Sequence, residues 1–130
     1  MFAPQTLLLV FLGAGLGGAL RHVVNGAVGR ALGAEFPWGI LSINVAGSLA
    51  MGLLAGLLAF FDGEHWSQPA RLFMTTGVLG GFTTFSAFSL DAVLLLERGE
   101  WGQAAAYVVA SVALSIGACL FGLALMRAAS

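Results

Sequence analysis

Four apolar runs fill nearly the whole chain, at about 5–32, 36–61, 69–97 and 101–127, with only short polar turns between them. Each is longer than the roughly 20 residues that cross a bilayer as a helix. Inside lipid, a backbone must satisfy its own polar groups. A run of this length is therefore read as a transmembrane α-helix. The 130 residues are 59% hydrophobic and 8% charged, too apolar for an ordinary water-soluble domain. The expected fold is an all-α integral membrane protein, a single four-helix transmembrane domain over residues 1–130, multi-pass in the membrane.

The few charges narrow the function further. Lysine is absent, and the arginines are Arg21, Arg30, Arg71, Arg98 and Arg127. A net charge of −1 offers no basic patch for nucleic acid. A lone cysteine, Cys119, forms neither an intrachain disulfide nor a cysteine-rich metal site. No positive side chain precedes the first apolar run, which argues against a cleaved signal peptide. Four hairpin-connected spans place Arg30 and Arg98 on one side of the membrane and Arg71 and Arg127 on the other. The positive-inside rule then has no asymmetry to act on. Chains inserted both ways, paired antiparallel about a two-fold axis in the membrane plane, form a natural homodimer for such a sequence.

The third span contains the stretch that departs most from a plain membrane helix. Residues 77–89 read Gly-Val-Leu-Gly-Gly-Phe-Thr-Thr-Phe-Ser-Ala-Phe-Ser. Gly77, Gly80 and Gly81 lower helix propensity, and the β-branched Thr83 and Thr84 follow at once. Two readings compete: a glycine-rich packing patch, or a helix broken near mid-membrane. A break is tolerated only where it is buried in protein or lines a wet cavity, and it points to an ion or substrate site. Phe85 and Phe88 share a face if the helix resumes, as core, as lipid contact or as ring edges offered to an anion. Thr84, Ser86 and Ser89 either donate outward or bond back to their own helix.

The other spans add polar residues at helical spacing. Gly13, Gly17, Arg21, Asn25 and Gly29 make one slowly drifting stripe on the first. Arg21 is an anion attractor at an entrance, a snorkelling cation, or a packing residue bound to carbonyls. Asn44 in the second span has amide donors for an anion without added charge, or for an interhelical hydrogen bond. Ser48, Gly52 and Gly56 continue as a small-residue packing stripe. The fourth span sets Tyr107, Ser111, Ser115 and Cys119 four residues apart, a polar track unless the hydroxyls bond their own i−4 carbonyls.

Gly-Gly-Phe-Thr-Thr-Phe-Ser-Ala-Phe-Ser, at 80–89, resembles the signature of the Fluc (CrcB) fluoride channel family, roughly Gly-Gly-x-Thr-Thr-Phe-Ser-Thr-Phe. Gly17-Gly18-Ala19-Leu20-Arg21-His22 is similar to the family's Gly-Gly-x-x-Arg-Tyr element, with His22 where Tyr is common. Gly39-Ile40-Leu41-Ser42-Ile43-Asn44-Val45-Ala46-Gly47-Ser48 is similar to Gly-Thr-Leu-x-Val-Asn-x-x-Gly-Ser, with Ile40 in place of Thr. Asp91 stands where the family often has Glu. The resemblance covers nearly the whole chain. It implies a passive, fluoride-selective channel of the cell inner membrane, a dual-topology antiparallel homodimer with two pores that exports toxic fluoride. It implies that Asn44, Thr84, Phe85, Phe88, Tyr107, Ser111 and Ser115 line or serve the fluoride path and that Arg21 lies in a vestibule. It also implies a structural Na⁺ on the dimer axis, held by the backbone carbonyls of Gly80 and Thr83.

No nucleotide motif or catalytic constellation is present, so an enzyme is not expected. The rival is a small proton-coupled dual-topology exporter, for which Asp91 is the sole acid well inside a span. A non-transporting scaffold subunit is a third possibility; it predicts no ion flux.

Overall fold

The computed structural model describes residues 3–129. Helix α1 spans Pro4–Leu32 and α2 spans Trp38–Ala59. The third crossing is composite. A short α3, Ser67–Arg71, runs into a π-helical segment, Leu72–Leu79, and then into one α-helical turn, α4, Gly80–Phe82. After a break the chain resumes as α5, Phe85–Glu97. Helix α6, Trp101–Ala128, makes the fourth crossing. Among the described residues, four helical stretches are therefore long and apolar enough to cross a membrane, with the third counted over Ser67–Glu97. Three boundaries shift by two residues from the sequence reading. The second helix is trimmed at both ends, to Trp38–Ala59, and the third starts two residues earlier, which puts Pro69 inside its first turn, where a missing N–H is harmless.

Pro4 opens α1, where its lost donor is no loss, and Gly33 closes it at φ +88°, with its N–H on Gly29 O at 2.8 Å. That positive φ turns the chain sharply back into α2.

Two helix pairings organise the bundle, and glycine sets both. Helices α2 and α6 lie together with their backbones nearly touching: a Cβ on Gly52 would strike the carbonyl of Cys119, and one on Gly122 would lie 2.7 Å from Leu49 O. Helix α1 packs in the same way on the third crossing. A Cβ on Gly13 would lie 2.6 Å from Phe73 O, and one on Gly17 would strike Val78 O. Small residues permit this approach where lipid gives no hydrophobic drive for helices to associate.

The core within the chain is thin. Ile40, Leu41, Ile43, Phe88, Leu95, Ala104 and Tyr107 form its buried cluster, on one side of the break. Many large apolar side chains on α1 and α6, Phe11, Leu16, Leu120 and Phe121 among them, lie exposed on the outer surface. Facing acyl chains, such exposure carries little penalty.

Candidate functional site

The third crossing does break, but not at its glycines. Gly77, Gly80 and Gly81 all remain helical; the extended residues are Thr83 (φ −83°, ψ 156°) and Thr84 (φ −152°, ψ 120°). The glycines serve approach instead. Gly77 lies against Gly13 Cα, and a Cβ on Gly81 would strike Ala14 O. Helix propensity is a weak prior that such packing overrides.

Asn44 holds the break. Its Oδ1 accepts the Thr84 N–H at 2.9 Å, and its Nδ2 donates to Thr84 O at 3.1 Å. The side-chain amide thus pairs with both backbone groups of one residue, as a residue on a neighbouring strand would. A backbone N–H can only donate and a carbonyl only accept, so this pairing also fixes which way the amide points. One Nδ2 hydrogen is left over. Thr84 Oγ1 then accepts the Ala87 N–H at 3.1 Å and so caps α5, with Ser86 Oγ 3.2 Å away. Gly47 gives the break room on α2, since a Cβ there would strike the methyl of Thr83.

These bonds have a consequence for the carbonyls. The N–H groups that would continue the helix onto Gly80 O and Thr83 O are those of Thr84 and Ala87. Both are directed elsewhere, to Asn44 Oδ1 and to Thr84 Oγ1. The two carbonyls are released from the α-helical ladder, which suits them to a hard cation.

A cleft of about 410 Å³ opens beside the break. Asn44 and Ser48 come from α2, Thr83, Thr84, Phe85 and Phe88 from the break, and Ser111 and Ser115 from α6, with Val112 and Ile116 as an apolar wall. Among the described residues, no charged side chain lines it. The Phe85 and Phe88 rings lie 5.5 Å apart, tilted by 53°. Their surroundings differ sharply: Phe88 is 8% exposed, whereas Phe85 is 77% exposed on the open side of the cleft.

The α6 hydroxyls do not bond back into their helix. Ser111 Oγ and Ser115 Oγ are buried and, among the described residues, have no hydrogen-bond partner. Ser89 does follow the bland expectation, donating to Phe85 O at 2.9 Å, as does Thr83, donating to Leu79 O at 2.9 Å.

Of the residues marked from sequence, Asn44, Thr84, Phe85, Phe88, Ser111 and Ser115 therefore meet in one cleft, joined by Thr83. Tyr107 stands behind it, fully buried, with its ring 5.2 Å from that of Phe88 and its hydroxyl donating to Asp91 Oδ2 at 3.2 Å. Gly80 lies outside the lining. Arg21 is half-buried on α1 and lines neither this cleft nor the second cavity. Ser48 is the lining residue that was read as packing alone; its position four residues after Asn44 puts both on one face. Asp91 lines a second cavity of about 240 Å³, with Asn25, Ile40 and the turn before α2.

The sequence matches the family model described as CrcB-like protein, Camphor Resistance (CrcB), over residues 8–123. Its relatives include the fluoride-specific ion channel FluC of Rhodopseudomonas palustris (strain BisB5), 60% identical over 124 residues, covering 95% of this chain and 98% of the relative. The fluoride-specific ion channel FluC 2 of Nitrobacter hamburgensis is 58% identical over 120 residues, covering 92% of this chain and 95% of the relative. The fluoride-specific ion channel FluC of Methylobacterium nodulans is 59% identical over 120 residues, covering 92% and 94%. Matched along almost its entire length, the chain belongs to the CrcB family.

Proposed function

We propose that this protein is a passive, fluoride-selective channel that lets toxic fluoride leave the cell across the inner membrane. One observation carries the reading: two buried hydroxyls, Ser111 and Ser115, have no hydrogen-bond partner among the described residues, beside a cleft whose described lining is uncharged. A buried donor without an acceptor is unfavourable, and a small anion supplies one. The relatives, which are fluoride-specific ion channels by name, supply the identity of that anion.

The cleft meets what fluoride requires. A small, strongly hydrated anion must exchange water for protein donors. The spare Asn44 N–H, the Ser111 and Ser115 hydroxyls and the positive edges of Phe85 and Phe88 offer them in series. None is a full charge. Each site is weak enough to release the ion, as conduction demands. Tyr107 braces the Phe88 ring from behind, and Arg21 raises anion concentration in a vestibule.

The functional unit in this proposal is an antiparallel homodimer with two pores. The balanced arginines leave both insertions open to the chain, and a second copy would cover the exposed Phe85 ring. The released carbonyls of Gly80 and Thr83, with their counterparts in the second copy, would hold a structural Na⁺. That ion supplies charge compensation for backbone oxygens that the helix no longer satisfies.

The rival exporter reading rests on Asp91, an acid within a span that is bonded to Tyr107. Efflux from proteoliposomes, followed with fluoride and chloride electrodes, separates the two. The channel reading expects fast fluoride release, retained chloride and no dependence on a pH gradient, with Asp91→Asn still conducting. Fluoride release that requires a pH gradient and stops in Asp91→Asn would establish the exporter. Assembled protein without flux would leave the scaffold.

A further inference from the structure

The Phe85–Phe88 pair does not end at the cleft. Phe88 meets Tyr107, and Tyr107 meets Phe36 edge-on, with ring centroids 5.6 Å apart and planes at 89°. Phe36 belongs to the turn between α1 and α2, which walls the second cavity together with Asp91. Fully buried Tyr107 thus touches the lining of both cavities, Phe88 on one side and Phe36 and Asp91 on the other. Its hydroxyl is held by Asp91 and its ring by the two phenylalanines.

The turn that presents Phe36 is itself tied down. Gly33 at φ +88° starts it, and the Trp38 N–H donates to Phe36 O at 2.8 Å. The Phe36 ring packs 4.7 Å from Trp38. From the turn before α6, Arg98 Nη2 donates to Glu35 O at 2.7 Å and also pairs with Glu100 Oε2 at 2.9 Å. A charge-assisted bond to the carbonyl next to Phe36 fixes that turn across a sequence separation of 63 residues.

We propose that Phe36 is a positioning residue for permeation: its edge-on contact holds the Tyr107–Phe88 partition closed between the cleft and the second cavity, and Arg98 keeps its turn in place. The inference rests on the cleft being the fluoride path. Without Phe36, Tyr107 loses one of the two ring contacts it makes among the described residues, and on this proposal the partition gains room for a larger anion. Selectivity then falls before the fold does.

The test measures the fluoride-to-chloride permeability ratio of reconstituted full-length protein. Phe36→Ala should lower the ratio several-fold, the scale of losing one aromatic edge contact. Phe36→Tyr, which keeps the edge, should restore it, and Arg98→Gln should shift it the same way as Phe36→Ala. A conducting wild type with Phe36→Ala and Arg98→Gln at the wild-type ratio overturns the inference alone. If Phe36→Ala fails to assemble, Arg98→Gln decides, because it alters an exposed bond and leaves the core intact. A wild type that passes no fluoride overturns the channel reading and this inference with it.

Discussion

Asn44 does two jobs with one amide. Its oxygen and one N–H pair with the backbone N–H and C=O of Thr84, and under the proposed function the second N–H is offered to an anion. Asn44→Asp separates these roles. The carboxylate still accepts from Thr84 N–H but cannot donate to Thr84 O, and it sets a negative charge in the cleft. Losing one buried partner should cost about 1–3 kcal/mol of stability. Fluoride efflux should fall to background; a folded Asn44→Asp protein with wild-type flux would contradict the assignment. That Asn44 matters was legible, since an amide in an apolar span needs a reason. Its partner was not, because a side chain bonding a peptide 40 residues away leaves no periodic trace. Ser111 and Ser115 were legible as a stripe, yet spacing cannot tell a free hydroxyl from one bonded within its own helix.

At the scale of elements, the third crossing concentrates the chain's irregularity. Its π-helical segment, its single α4 turn and its extended pair all pack along α1 or α2. Wider π turns rotate the residues that follow relative to a continuous α-helix, and such segments gather at functional sites. The sequence marked residues 77–89 as the place for a break or a glycine-rich packing patch, and the break lies inside that stretch, at Thr83 and Thr84. Spacing alone could not choose the residue, because glycines that weaken a helix in isolation are here held helical by close contact with α1. The two faces of α1 make the test. Gly17→Ala would drive a methyl into Val78 O and Phe82 N and should cost about 1–3 kcal/mol, as overpacking does. Gly18→Ala, with nothing within 4 Å, should leave the thermal stability of the single chain unchanged. Equal melting losses for both variants would show that α1 docks on a different face.

For the molecule as a whole, the balance of arginines and the thin core point the same way. Four spans, short turns and a membrane environment follow from composition and run length alone, and the helices conform to them. The route of the cleft could not be read, because it joins α2, the break and α6, elements whose adjacency is a tertiary fact. Orientation is the property most open to manipulation. Asp62→Lys with Glu64→Lys adds positive charge on one side only, and Glu35→Lys with Glu97→Lys adds it on the other. Under the proposed antiparallel assembly, each double variant should insert one way, as read by accessibility of a terminal tag, and lose fluoride efflux when expressed alone. Expressed together they should recover it. Full efflux from chains inserted in a single orientation would rule the antiparallel pair out.

The central claim, that the cleft beside the break conducts fluoride, is met most directly by the Ser111→Ala, Ser115→Ala double variant. Among the described residues these hydroxyls have no hydrogen-bond partner, so their removal should leave assembly and melting temperature at wild-type values. If they instead bond the passing ion, fluoride efflux from proteoliposomes should drop by roughly tenfold or more, since each hydrogen bond to a charged group is worth about 1.5–3 kcal/mol. Normal stability with strongly reduced efflux is the predicted result. Efflux indistinguishable from wild type would place the fluoride path elsewhere in the molecule.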